Sequence, residues 1–185
     1  MSLEKMHIAL KGQFCEQLYE NHIKVSAERL QSYEEYASAI CVKIPISCYT
    51  NFRDALFHFR KVVSSMEENE IERQAFAVKE HLSRALTDAA SSILYYLSLI
   101  AEELLSDIGI DSKVKSQIRK SLHDMKKANL RKRFSGMMIS NDDMSNISHE
   151  EIQILVDDFY MIINDNCADK FAECAKTLIV NDKTN

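Results

Sequence analysis

The stretch 71-IERQAFAVKEHLSRALTDAASSILYYLSLIAEEL-104 carries the clearest periodic signal in the chain. Ile71, Ala75, Val78, Leu82, Ala85, Ala89, Ile93, Tyr96, Ile100 and Leu104 recur at steps of three and four, which predicts one long amphipathic helix. Glu67, Glu68, Glu70 and Glu72 cluster where its start is expected, and acids are favourable at a helix N-terminus. The pattern stops at "SDIGID", where Gly109 suits the residue just past a helix end and Ile110 the apolar position after it. Asp111 can then cap the next helix.

Working outward in both directions gives more helices. Residues from about Leu3 to Lys43 read as a helical region, with Gly12 expected to bend or divide it. Pro45 ends that region, and Ser47 is the expected N-cap of a second helix reaching about Met66. A fourth covers about Ser112 to Phe134. "SGMMISNDDMSN" reads as a loop. Ser148-His-Glu-Glu151 fits a capping box opening a last helix to about Ile179, with 181–185 as a frayed tail. The 185 residues hold only three Gly and one Pro, too few turn residues for a sheet protein. The expected fold class is all-α: a single domain over 1–185, an up-and-down helical bundle of about five helices.

The formal net charge of −5 argues against a strongly electrostatic partner for the whole chain. Five cysteines without a CxxC, and no evident signal peptide, point to free thiols in a reducing, cytoplasmic setting. The longest apolar stretch, near Ile93 to Ala101, is too short to span a membrane. No cofactor motif stands in the sequence: His-Glu-x-x-His and a P-loop are absent, and the paired Glu-x-x-His motifs of a di-iron bundle are not present, Glu4-x-x-His7 standing alone.

The polar residues inside the helices are the candidate site. On a wheel of the second helix, Phe52, Leu56, Phe59, Val63 and Met66 form the expected core face. Asn51, Asp54 and His58 fall on one flank, and Arg53 on the other with Phe57 and Arg60. In the third helix His81, Arg84, Asp88 and Tyr95 share a flank. An antiparallel hairpin turning near Asn69 sets His58 level with His81, Asp54 near Arg84 and Asn51 near Asp88. Such a ladder has two readings. A His beside an Asp is a tuned acid or base, and an Arg beside it can hold a phosphate. Alternatively these groups are interhelical hydrogen bonds at a half-buried seam, within the chain or in a dimer.

Arg53-Asp54-x-x-x-His58 resembles the Arg-x(4–6)-His signature of HEPN domains. The longer pattern "RDALFH…EHLSRALTDA" also resembles HEPN-like helical proteins, over roughly Thr50 to Ile100. The resemblance implies a HEPN-like bundle and a homodimer, with Arg53 and His58 of both chains lining one cleft. It further implies metal-independent RNA cleavage, with His58 in acid–base work and Arg53 on the scissile phosphate. In this chain the motif stands in an early helix, whereas in the family it usually stands late in the domain.

The fourth helix supplies a second candidate. Lys113, Lys115, Arg119, Lys120, Lys126, Lys127, Arg131, Lys132 and Arg133 stand against one acid, Asp124. They suit an RNA or acidic-partner surface, or a solvated face complementing an acidic remainder. Aromatic residues do not interleave with them, only Phe134 standing close, which argues against a base-stacking platform and for backbone phosphate contact at most. Two function classes follow. One is a HEPN-type endoribonuclease. The other, which the residues favour, is a dimeric module that binds a protein partner and carries a degenerate site.

Overall fold

A computed structural model describes the backbone of residues 3–40, 42–127 and 154–166, and the side chains of 8–40, 42–124 and 154–166. The fold is all-α, a helical bundle, and no strand occurs among the described residues. The elements are α1 (Leu3–Leu18), a π-helical segment (Tyr19–Lys24), α2 (Val25–Ala39), α3 (Ile46–Ser64), α4 (Glu68–Ser106) and α5 (Ser112–Lys127). Residues 154–166 are also helical. The Ser148 capping box, the loop before it, Cys41, Cys167, Cys174 and the tail lie outside the described residues. No helix among the described residues is long and apolar enough to cross a membrane.

The chain packs as two compact units. One combines residues up to Ser32 with Pro45–Asp88, and the other combines Tyr33–Ile44 with residues from Ala89 onward. In the first, Leu18, Ile23, Ala55, Val62, Ile71, Ala75, Val78 and Leu82 form the core, with Cys15, Phe52 and Phe59 packed against it. In the second, Tyr33, Ile40, Ile93, Leu94, Leu97, Ile100, Leu104, Ile118 and Phe159 are almost fully buried. Tyr36 stacks on Tyr160 there, centroids 4.5 Å apart.

The long helix forms as its periodicity requires. All ten stripe residues except Tyr96 are buried. Leu86, Ala90, Leu94, Leu97 and Ala101 are buried as well, so the distal half of α4 is covered over a wider arc than one stripe. Asp111 caps α5 as expected, its Oδ1 accepting the Lys113 N–H at 2.7 Å.

Three local expectations are corrected. Helix α1 is not divided at Gly12, and the irregularity falls at Tyr19–Lys24 instead. A Cβ at Gly12 would meet no described residue within 4 Å beyond the helix's own backbone. The π segment has a packing cause. Leu18 and Ile23 are both buried although five apart, a spacing that a π turn aligns and an α turn does not. Second, α3 begins at Ile46 with Pro45 as its cap residue and no side-chain cap bond; the Pro45 carbonyl accepts the Cys48 N–H at 3.0 Å. Third, the core face of α3 is Cys48, Ala55 and Val62. Leu56, Val63 and Met66, expected inside, are 43%, 50% and 60% exposed.

Candidate functional site

The site lies on the α3–α4 hairpin, inside the first unit. Ser65 leaves the helical basin and its N–H still bonds the Lys61 carbonyl at 2.9 Å. The Ser65 hydroxyl accepts the Glu67 N–H. Lys11 Nζ donates to the carbonyls of Val63 and Ser65, both at 2.6 Å, which satisfies the C-terminal end of α3 with a cation. The reversal therefore sits at Ser65–Glu67, about one turn before the expected Asn69.

That shift resets the polar pairings. Asn51 Oδ1 lies 3.1 Å from His81 Nδ1, and His58 Nδ1 lies 2.5 Å from Gln74 Oε1. Both α4 partners stand seven residues, two helical turns, before the ones expected from level-matching. His58 and His81 nevertheless meet as neighbours: their rings stack at 5.2 Å between centroids and 15° between planes. Asp54 does not reach Arg84. It accepts two bonds from Arg53, at 2.9 and 3.1 Å, while Arg84 pairs with Glu80 at 3.0 Å. Asp88 acts on Cys48 rather than Asn51: burial first, and the Asp88 charge second, push the Cys48 thiol up to about 12.

Gln74, Glu70 and Arg73 complete the seam, and the sequence reading missed them. Gln74 is 4% exposed. Its Nε2 donates to Glu70 Oε1 at 2.8 Å, and Arg73 donates twice to the same carboxylate at 2.9 Å. The Gln74 hydrogen bond, then Arg73, hold the Glu70 carboxyl below its ordinary value. The signal was present: Gln74 stands seven before His81 and four after Glu70, hence on one flank of α4. The seam runs Arg73–Glu70–Gln74–His58–His81–Asn51.

The chain of donors fixes the histidine tautomers. Gln74 spends its NH₂ on Glu70, so the atom facing His58 is an oxygen, and His58 Nδ1 carries the hydrogen. His81 Nδ1 likewise donates to the Asn51 oxygen. With Nδ1 as the donor, the neutral form of each ring carries its lone pair on Nε2. Burial, with the neighbouring His58 next, lowers the His81 pKa; Asp54 and Glu80 act in the opposite sense.

Arg53 and His58 are not brought together within the chain. The Arg53 side chain is 74% exposed and turned to Asp54. Asp54 is thereby engaged by a guanidinium, and neither histidine has a carboxylate hydrogen-bonded to its ring among the described residues. No group of three or more metal-ligating side chains is found among the described residues. The basic helix is described as far as Lys113, Lys115, Arg119 and Lys120; the side chains of Lys126 and Lys127, and Arg131, Lys132 and Arg133, lie outside the described residues. Lys120 lines a groove of about 460 Å³ with Asp124, Asp158 and Asp165, a basic position facing acidic ones.

Comparison with protein-family models, curated proteins and solved structures finds no match to this chain.

Proposed function

We propose that the chain is a non-catalytic helical interaction module of HEPN-like kind, acting as a cytoplasmic homodimer that binds a protein partner, with a degenerate Arg53–Asp54–His58 site. The observation that carries this reading is the commitment of the His58 and His81 rings. Both Nδ1 atoms are bound to neutral amides, and Asp54 is bound to Arg53. A general base works best when a carboxylate orients it and tunes it toward the working pH. Here amides do the orienting, and burial moves His81 away from the charged form. The polar flank then serves to fix the register of two helices, a role in which buried polar groups are well attested. Cys48, fully buried and inert as a thiol, suits a reducing compartment.

The competing reading is a metal-independent endoribonuclease using Arg53 and His58 across a dimer cleft. Incubating the purified chain with unstructured and hairpin RNA, with and without EDTA, separates the two. The expected result is intact RNA, with His58→Ala indistinguishable from the parent. Cleavage by the parent that His58→Ala abolishes would overturn the proposal.

A further inference from the structure

Gly12 is an unexplained cost in α1. A glycine inside a helix destabilises it relative to alanine. Among the described residues nothing beyond the helix's own backbone lies within 4 Å of where its Cβ would stand, so packing among them does not require it. Its surroundings are apolar and open. Ile8 of α1 and Tyr19 at the start of the π segment are 53% and 44% exposed, and with Gly12 and Cys15 they share a face at spacings of four, three and four. Leu56, Val63 and Met66 of the α3 side are exposed as well, and helical spacing puts Leu56 and Val63 on the same side of α3 as Phe59. The Tyr19–Phe59 ring contact, 6.1 Å between centroids, makes the two helix faces one continuous patch.

We infer that this α1/α3 face binds a second copy of the chain about a two-fold axis parallel to the helices, so that α3 of each copy packs on α1 of the other. The inference rests on the homodimer element of the proposed function and deepens it. Three arguments point to a second copy.

The first is area. Five apolar side chains about half exposed, with the rims of Phe52 and Phe59, leave on the order of 500 Å² per chain. That is the size of the largest apolar patch on a typical monomer, a size at which such patches are often functional. Two copies would remove on the order of 1,000 Å², the size at which specific association begins.

The second is shape. Lys11 bonds the Val63 and Ser65 carbonyls and Tyr19 meets Phe59, so α1 and α3 are antiparallel and their levels can be matched. Val63 is level with Gly12. The two-fold preserves levels, and it seats Val63 of one copy over Gly12 of the other, a knob over a residue without a side chain.

The third is charge. Arg60 flanks the patch on α3 and Glu16 flanks it on α1, and both are exposed. Neither has an ion-pair partner among the described residues. Glu16 is level with Arg60. The same rotation places Arg60 of each copy opposite Glu16 of the other. A two-fold across the helices would instead set Arg60 and Arg53 flank against flank, like charge on like.

The test is sedimentation equilibrium of the full chain from low to high micromolar concentration. The expected parent is a reversible dimer of twice 21.3 kDa, dissociating in the micromolar range. Gly12→Lys and Val63→Glu should each give monomers whose circular dichroism matches the parent, because both positions face open space. Arg60→Glu should weaken the dimer about tenfold, and adding Glu16→Arg should restore it. A dimer indifferent to all four substitutions overturns this interface while leaving the homodimer reading intact. A chain monomeric throughout the range overturns both the interface and the homodimer, while the non-catalytic reading still stands or falls on the RNA assay.

Discussion

Replacing Gln74 by methionine is the sharpest probe of the α3–α4 seam. Methionine keeps the length and volume of glutamine and deletes both of its hydrogen bonds, to Glu70 and from His58. Glu70 keeps its two bonds from Arg73, so its loss is small. His58 Nδ1–H loses its acceptor while half-buried, which costs more than a surface bond and less than a fully buried orphan. The expected destabilisation is about 1–2 kcal/mol. For a chain of 185 residues that lowers Tm by roughly 3–6 °C. Urea unfolding followed by circular dichroism measures the first figure and a thermal scan the second. Adding His58→Leu removes the orphaned partner, so the double substitution should cost at least about 0.5 kcal/mol less than the two singles together. The tautomer assignment gives an independent readout: long-range ¹H–¹⁵N spectra of the parent should show hydrogen on His58 Nδ1, and Gln74→Met should release that preference. Unchanged stability in Gln74→Met, or a parent with hydrogen on Nε2, would refute the relay.

Three further outcomes are expected. The His81 pKa is lowered by burial, and that of His22 by burial and then Lys79; the unfolded chain therefore binds more protons near pH 6, and stability present above pH 6.5 should be lost as pH falls through the folded values. Urea midpoints from pH 7.5 to 5 check this, and His81→Gln should flatten the slope. Lys11→Met removes the cation from the α3 carbonyl end and should cost about 1 kcal/mol by the same urea assay. Cys48, fully buried with its thiol pushed up to about 12, should resist maleimide at pH 8 in the folded chain and react in urea, as read by peptide mass mapping; rapid labelling of the folded chain would contradict its burial.

The long helix was legible because its apolar residues fall at helical steps from end to end, and burial follows that spacing closely. The seam was legible as a pair of flanks and illegible as a register. Level-matching depends on where the hairpin turns, and the turn is set by Ser65 and by Lys11 from a distant helix. One turn of error at the reversal moved the hydrogen-bond partners of His58 and Asn51 two turns along α4. The π segment left no sequence mark at all: it answers a packing demand at Leu18 and Ile23 that only the assembled core imposes.

The misread face of α3 ties the fold to the proposed interface. A helical wheel anchored on Phe52 put Leu56, Val63 and Met66 inside. The core chose Cys48, Ala55 and Val62, a heptad-spaced row of smaller residues. Small residues on that row let α3 lie close to its neighbours, which fixes the core line at one azimuth and turns the larger residues outward by about one residue's rotation. A helix carrying two adjacent apolar rows, one small and buried, one large and open, has more apolar arc than one core can cover. The same excess does not occur on α3's polar flank, where Asn51 and His58 meet acceptors and donors on α4. The chain thus spends its polar pairing on intrachain register and leaves its surplus apolar row uncovered beside the glycine. That is the distribution expected of a surface kept for association rather than for chemistry.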